Sequence, residues 1–286
     1  HESKNVSEQH LETFYTTFDE IKDQHFDGMI ITGAPVELLD FEDVDYWDEL
    51  AEIMAWSATN VHSTLHICWG SAGRSVLSLG IPKYMLPEKM SGIFKHHVLL
   101  PKEPLLRGFD DIFCAPHSRH TEVRAADIRK DERLTILAES HEAGVHIVEA
   151  MNGRQIFVLG LASTTADTLK KEYERDLAKG MNPEVPRHYF RNDDPNEDVL
   201  VTWKAHANLF YTNWVNYYVY QTTPYYLDKN VTQKPLIHWI AAFSHKKGVS
   251  KDTPFRFTGS VLFSHPLRRP DGTASSGCPT GARFRP

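Results

Sequence analysis

The sequence predicts an α/β fold in which a mainly parallel β-sheet is flanked by helices. Over residues 1–227, short apolar runs rich in β-branched side chains alternate with segments whose apolar residues recur at helical spacing, and this alternation is typical of a parallel sheet. The chain has 286 residues, of which 41% are hydrophobic and 24% charged, so it has enough apolar side chains for a large core.

The first predicted strand covers residues 28–33, reads GMIITG and ends at a glycine. A helix follows over 44–60, and the next strand, 63–70, places Cys68 at its carboxyl end. The residues of this helix that are expected to face inward are Trp47, Leu50, Ile53 and Met54. Because sites in parallel sheets lie beyond the carboxyl ends of the strands, the loops after these two strands are the predicted place of the functional site.

The remaining elements are assigned in the same way. Further strands are predicted at 110–116, 134–140, 145–152 and 154–160. The last two are expected to form a hairpin about Asn152 and Gly153, a pair that favours a tight turn. A helix over 166–181 is expected to stop at Gly180, and an aromatic-rich helix is expected over 200–221.

Charge and cysteine content exclude several classes of protein. The net charge of −7, from 31 basic and 38 acidic residues, argues against nucleic-acid and acidic-membrane partners. No apolar run approaches the roughly 18 residues that a membrane span needs. The three cysteines, Cys68, Cys114 and Cys278, are well separated in the sequence. They are too few for a disulfide framework and suit a reducing compartment, so we expect a cytoplasmic protein.

The composition changes near residue 228. Residues 228–286 carry ten Lys or Arg against three Asp and no Glu, and they end in a Pro- and Gly-containing run. A basic arm for nucleic acid is one interpretation. Because the segment lacks sustained hydrophobic periodicity, a disordered or non-native tail is preferred. We therefore expect one domain over 1–227 and a basic tail over 228–286.

Cys68 follows a strand directly, and Gly70 permits a sharp turn after it, which is the pattern of a nucleophile elbow. Its thiolate would attack an acyl group, and the backbone N–H groups of Trp69 and Ala34 would stabilise the oxyanion. Taken alone, a cysteine at a strand end is more often a small buried hydrophobe. That second interpretation is preferred for Cys114.

Six segments of residues 1–227 carry a family resemblance. They read FDGMIITGAPVELLDFEDVDYWDEL, TLHICWG, GIPKYMLPEKMSGIFKHHVL, RGFDDIFCAPHSRHTEV, DPNEDVLVTW and HANLFYTNWVNYYVYQTTPY. In these segments the chain resembles the homoserine O-acyltransferases of methionine biosynthesis, which comprise O-acetyl- and O-succinyltransferases. The resemblance implies that 1–227 is an acyltransferase domain with a class I glutamine amidotransferase-like (flavodoxin-like) fold, whose N-terminal strand region is missing from this chain.

The resemblance implies a ping-pong reaction with no cofactor, in which acetyl-CoA is a co-substrate. Cys68 takes the acyl group as a thioester, and the hydroxyl of L-homoserine then attacks it. Matched position by position, Lys89, Ser118 and Arg175 correspond to substrate-contacting residues. Arginine offers a planar fork to a carboxylate, lysine offers a point charge, and serine can donate or accept a hydrogen bond. The resemblance also implies a homodimer.

Glu37 indicates the acyl donor. In the family that the chain resembles, glutamate at this position accompanies acetyl-CoA and glycine accompanies succinyl-CoA. A carboxylate beside the acyl pocket occupies the space of a succinyl tail and repels its terminal charge. Acetyl transfer is therefore preferred, and homoserine O-succinyltransferase activity is the alternative.

Two stretches within the resemblance depart from the family pattern, 71–79 and 161–165. Leu161 and Ser163 stand where the resemblance implies a catalytic His and Glu, and neither side chain accepts a proton at neutral pH. Frame errors over 71–79, 161–165 and 228–286 would explain the departures. Otherwise the chain is a catalytically dead paralogue that binds homoserine or acyl-CoA. A third hypothesis, a cysteine-dependent amidotransferase or hydrolase, agrees less well with the PEKMSG and PHSRH segments.

Overall fold

The computed structural model describes residues 15–32, 47–68, 80–160, 165–224, 239–242 and 256–258. The strands in these ranges are β1 (Tyr15–Thr17), β2 (Phe26–Thr32), β3 (Val61–Ile67), β4 (Tyr84–Val98), β5 (Ile112–Glu122), β6 (Leu134–Ser140), β7 (Gly144–Ala150), β8 (Gln155–Val158), β9 (Trp239–Ala242) and β10 (Arg256–Thr258). The α-helices are α1 (Phe18–Ile21), α2 (Trp47–Asn60), α3 (Ala125–Ile128), α4 (Thr168–Ala178) and α5 (Lys204–Asn213).

All ten of these strands lie in one sheet, in the order β1-β10-β9-β2-β3-β8-β7-β6-β4-β5. Strands β9, β2, β3 and β8 pair in parallel, and the other pairings among the described strands are antiparallel. The α/β class is thus confirmed, but the sheet is mixed, which corrects the expectation of a mainly parallel one. The turns over 141–143 and 151–154 are the physical reason, because a parallel crossover needs about a dozen residues or more.

The predicted elements around the parallel strands are confirmed with small shifts at their ends. In α2, Trp47, Leu50 and Ile53 are buried as expected, and Met54 packs half-buried against the same cluster. Strands β7 and β8 form the expected hairpin, and Asn152 in its turn has a φ of +54°.

Both later helices differ in detail from their predictions. Helix α4 covers less than the predicted 166–181, and Gly180, with φ +71°, follows its end. The helix expected over 200–221 begins at Lys204 and changes to a π-helix over Trp214–Tyr220. Within the described ranges, no helix is long and apolar enough to cross a membrane.

Strand β4 was not expected from the sequence, although its 15 residues make it longer than any other strand described. Pro87, Lys89 and Gly92 interrupt any alternation of polar and apolar residues along it. Its conformation is stabilised instead by antiparallel pairing with β5, which extends from Tyr84 to His97 with a bulge between. We call this pair the β4–β5 ribbon.

Gly92 allows a second segment to join the β4–β5 ribbon. Its φ is +148°, and a Cβ atom at this position would lie only 2.4 Å from the carbonyl oxygen of Arg187. The Ile93 N–H donates to that oxygen at 2.8 Å, and the Arg187 N–H donates to the carbonyl of Ser91 at 3.0 Å. Glycine is therefore required where two backbones come into contact beside Lys89.

Candidate active site

Cys68 follows the last residue of β3 and adopts a φ of +67°. A non-glycine residue in this left-handed region is uncommon and costs roughly 1–3 kcal/mol, and such strain concentrates at functional sites. The side chain is half-buried and packs against two apolar clusters of the core. Cys68 itself therefore has the left-handed conformation that a nucleophile elbow needs, and it remains partly exposed.

Five positions assigned from the sequence lie outside the described residues. They are Ala34 and Trp69 of the expected oxyanion site, Glu37 of the acyl-donor site, and Leu161 and Ser163 at the positions of the family's His and Glu. Their roles stay predictions.

Lys89, Ser118 and Arg175, which the sequence assigns to substrate contact, come together around two acidic residues of helix α4. Ser118 Oγ donates to Glu172 Oε2 at 2.5 Å. Lys89 Nζ lies 3.3 Å from the same oxygen and 3.2 Å from Asp176 Oδ2. Arg175 contacts Asp176 Oδ1 through Nε at 2.8 Å and through Nη2 at 2.7 Å. We call these five residues the charge cluster.

Burial within the charge cluster is graded. The Asp176 side chain is 7% exposed, those of Lys89 and Glu172 are 21% and 26% exposed, and that of Arg175 is 52% exposed. Burial alone would raise the pKa of the Asp176 carboxyl, but the hydrogen bonds and charges of Arg175 and Lys89 outweigh it and hold this pKa below its usual value. The Asp176 carboxyl is therefore ionised at neutral pH and lies on the buried side of the charge cluster.

Sequence reasoning missed Glu172 and Asp176. The available signal was helical spacing, because Leu169, Glu172 and Asp176 recur at i, i+3 and i+7 and therefore share one face of α4. Leu169 is fully buried on this face. Two carboxylates on the inward face of a helix need partners, and Lys89 and Ser118 of the β4–β5 ribbon supply them.

The β4–β5 ribbon also passes over the carboxyl end of β8, next to the strand that carries Cys68. A Cβ atom on Gly160, just beyond β8, would lie 2.9 Å from the carbonyl oxygen of Pro116 in β5 and 2.6 Å from Cε1 of His146 in β7. Val158 of β8 pairs with Ile67, the residue before Cys68. Ser118, two residues after Pro116, therefore lies at the end of the sheet where β3 ends.

Three buried histidines beneath this crossing have the spacing of a metal site. One ring nitrogen from each of His96, His117 and His146 lies within 4.8 Å of the others. Hydrogen bonds favour a metal-free arrangement, because Arg119 Nε donates to His117 Nδ1 at 3.3 Å and so places the proton of a neutral His117 ring on Nε2. That Nε2 then donates to His96 Nε2 at 3.0 Å, and His96 Nδ1 donates to the carbonyl of Phe94 at 3.0 Å.

The electrostatics agree with three neutral rings, of which His96 and His117 are hydrogen-bonded to each other, whereas the buried Nδ1 of His146 has no hydrogen-bond partner among the described residues. Burial lowers the pKa of His96 to about 3 and lowers those of His117 and His146 well below the usual value. A metal ion bound through His117 Nε2 would move the ring proton to Nδ1, against the N–H of Arg119. The rings therefore serve as a packed support for the β4–β5 ribbon rather than as a ligand set.

Fold and site together define an α/β protein with a strand-end thiol in the conformation of a nucleophile elbow and a charge cluster at the same end of its sheet. Comparison with known proteins gives the family. The family model described as "Homoserine O-succinyltransferase" matches residues 1–225, and the chain belongs to this family.

Individual relatives share more than half of their aligned residues with this chain. "Homoserine O-acetyltransferase" of Bacillus mycoides (strain KBAB4) is 56% identical over 227 residues, which are 79% of this chain and 75% of the relative. The protein of the same name from Bacillus cytotoxicus is 58% identical with the same coverage.

Similarity to solved structures is weaker. A glutamine amidotransferase from Thermotoga maritima has a TM-score of 0.46 and 13% identity, covering 65% of this chain and 76% of its own. A glutamine amido transferase from Methylobacillus flagellatus has a TM-score of 0.45 and 9% identity, covering 68% of this chain and 95% of its own.

Proposed function

We propose that this chain transfers the acetyl group of acetyl-CoA to the hydroxyl of L-homoserine, as a cytoplasmic enzyme of methionine biosynthesis. The observation that carries the proposal is the left-handed turn at Cys68, with φ +67°, in a chain that is 56–58% identical to proteins named homoserine O-acetyltransferase. Such a turn exposes a side chain at the end of a buried strand, as nucleophilic catalysis requires.

Two half-reactions make up the proposed mechanism. In the first, Cys68 Sγ forms a bond to the acetyl carbon, the bond between that carbon and the sulfur of CoA breaks, and the thiol proton leaves with CoA. In the second, the homoserine oxygen bonds to the acetyl carbon, the bond to Sγ breaks, and the hydroxyl proton returns to Sγ. Each half passes through a tetrahedral oxyanion, for which the N–H groups of Ala34 and Trp69 are the proposed donors.

Substrate selection is proposed to be divided between two places. Lys89 and Arg175 bind the homoserine carboxylate, since both carry N–H groups beyond those spent on Asp176 and Glu172. Glu37 disfavours succinyl-CoA by occupying the space of the longer acyl chain and repelling its carboxylate. Acetyl transfer is therefore proposed ahead of succinyl transfer.

A second candidate function is binding of homoserine without turnover. Leu161 and Ser163 favour it, because they stand at the positions where the family's His and Glu would move protons. Loss of a general base lowers the rate by about 10²- to 10⁴-fold. The contacts described within the charge cluster are all made by other residues, and the cluster is proposed to bind homoserine in either case.

Release of CoA from the full chain, followed with a thiol reagent, separates the candidates. Acetyl transfer predicts a first release of up to one CoA per chain without homoserine, and continued CoA release only when homoserine is present. This continued release should be faster with acetyl-CoA than with succinyl-CoA, lost in Cys68→Ser and kept in the control Cys114→Ser. Thermal stabilisation by homoserine without CoA release would support the binding protein. Ammonia release from glutamine would contradict both candidates.

A further inference from the structure

We infer that the basic tail, residues 228–286, docks on the rest of the chain by adding strands β9 and β10 to the sheet beside β2. The partner surface is the edge of β2 that faces away from β3, and its occupation does not depend on acyl transfer. The positive charge of the tail then has a partner within this chain. This is an alternative to the nucleic-acid arm and to the disordered extension that the composition suggests.

Strand β9 extends the parallel part of the sheet. It pairs with β2 over four consecutive residues, from Gly28 opposite Trp239 to Ile31 opposite Ala242. On its other side β2 pairs with β3, and Met29 and Ile31 of β2 are fully buried. Unpaired N–H and C=O groups along so buried a strand would be costly, so β9 supplies partners that the backbone of β2 needs.

Strand β10 connects β1 to the same sheet. It pairs with β9 on one side and with β1, Tyr15–Thr17, on the other, and both pairings are antiparallel. Among the described strands, β1 pairs with β10 alone. The two tail strands therefore lie between β1 and β2, and they link β1 to the parallel strands of the domain.

Opposite net charges favour this docking. Residues 228–286 carry ten basic and three acidic side chains, a net charge of +7, whereas residues 1–227 carry 21 basic and 35 acidic ones, a net charge of −14. Arg256 of β10 lies opposite Thr17, which directly precedes helix α1 with its acidic first turn. A positive segment is complementary to a negative domain, and this attraction holds the tail near β2 while its strands pair.

The composition around β9 agrees with a place inside the sheet. The strand, Trp239–Ala242, lies within the apolar run LIHWIAAF over 236–243. An apolar run that is paired on both sides is typical of an internal strand. Nucleic-acid arms bind phosphates through Lys and Arg, and this run contains neither. The part of the tail that pairs with β2 is therefore suited to the sheet rather than to a nucleic acid.

Hydrogen–deuterium exchange of the full chain measures the docking without substrate or turnover. Two variants place proline in the added strands. Ala241→Pro removes an N–H from β9, and Phe257→Pro removes one from β10. The matched controls are Ala241→Val and Phe257→Val, which keep the N–H and favour a strand. The amides of β5, at the opposite edge of the sheet, report whether each variant remains folded.

In the unchanged chain we expect the amides of 239–242 and 256–258 to exchange about 10²-fold more slowly than those of an unstructured peptide, or slower still, as in paired strands of a folded domain. Ala241→Pro should remove this protection and speed exchange in β1 and β2 by about 10-fold or more. Phe257→Pro should have this effect on β1 and β10 and spare β2, and both valine controls should exchange as the unchanged chain does.

Three results would overturn the inference. The first is exchange of both tail strands at the unstructured rate in the unchanged chain. The second is full protection of β1 in either proline variant; if Ala241→Pro also loses protection in β5, Phe257→Pro and the unchanged chain decide. The third is protection of the tail strands that appears only after a short DNA duplex is added, which would assign the tail to nucleic acid. Each of these results leaves the proposed acyl transfer standing.

Discussion

Replacing Glu149 by glutamine should stabilise the protein at pH 8 and have little effect at pH 5. Glu149 and Glu103 share the hydroxyl of Tyr218, which donates to Glu103 Oε1 at 2.7 Å and to Glu149 Oε2 at 3.1 Å. Because one hydroxyl hydrogen is divided between two carboxylates, the anionic pair is poorly satisfied. Burial, and then repulsion by Glu103, raise the pKa of Glu149 to about 7.

The direction in which Glu149 changes the stability with pH follows from proton linkage. The folded-state pKa of Glu149 lies above the unfolded-state value of 4.5, so the native state binds the proton first, and this stabilisation is lost as the pH rises through about 7. The shift corresponds to about 3 kcal/mol, and because the carboxyl is partly exposed we expect about 1–2 kcal/mol. A glutamine is neutral at every pH, and its amide can donate to Glu103.

Urea unfolding of Glu149→Gln and of the unchanged chain at pH 5, 6, 7 and 8 provides the assay. The difference in unfolding free energy between the two chains removes the contributions of all other groups. It should be near zero at pH 5 and reach about 1–2 kcal/mol in favour of the variant at pH 8. The control Glu132→Gln alters an exposed carboxylate. A difference that stays constant over this range would refute the reasoning.

Three further perturbations have defined outcomes. Gly92→Ala should lower the free energy of unfolding by urea by about 2–4 kcal/mol, since the new Cβ atom would meet the backbone of Arg187. In the control Gly180→Ala, at positive φ but in open space, the free energy should fall by about 1 kcal/mol. Equal losses would contradict this account. Trp214→Phe removes the hydrogen bond from Nε1 to Ser63 Oγ (2.9 Å) at a fully buried position, and thermal unfolding should show a loss of about 1–3 kcal/mol. Acidification from pH 7 to pH 5 should lower the unfolding free energy of the Glu149→Gln variant by several kcal/mol. Burial lowers the pKa of buried histidines, that of His66 to about 4, so below about pH 6.5 the unfolded chain binds protons before the folded one. A constant urea midpoint would exclude this effect.

Local patterns account for the elements that could be predicted from sequence. Strands β2 and β8 are short runs of mostly apolar residues, which favour burial in the sheet. Strand β3 combines apolar residues with the buried polar residues Ser63, Thr64 and His66. The turn at Cys68 and the hairpin after β7 depend on neighbours within a few positions. Strand β4 could not be predicted in this way, because its residues do not alternate and it forms by pairing with β5.

The sequence by itself determined the α/β class and the position of Cys68 at a strand end, and through the resemblance it predicts three residues for substrate contact. Only the tertiary structure decided that these three meet at Glu172 and Asp176. The contacts of Lys89 with these acids span 83 and 87 positions of the chain, and that of Ser118 with Glu172 spans 54. Charges so far apart in sequence carry no local signal of their pairing, since it depends on how the β4–β5 ribbon crosses helix α4.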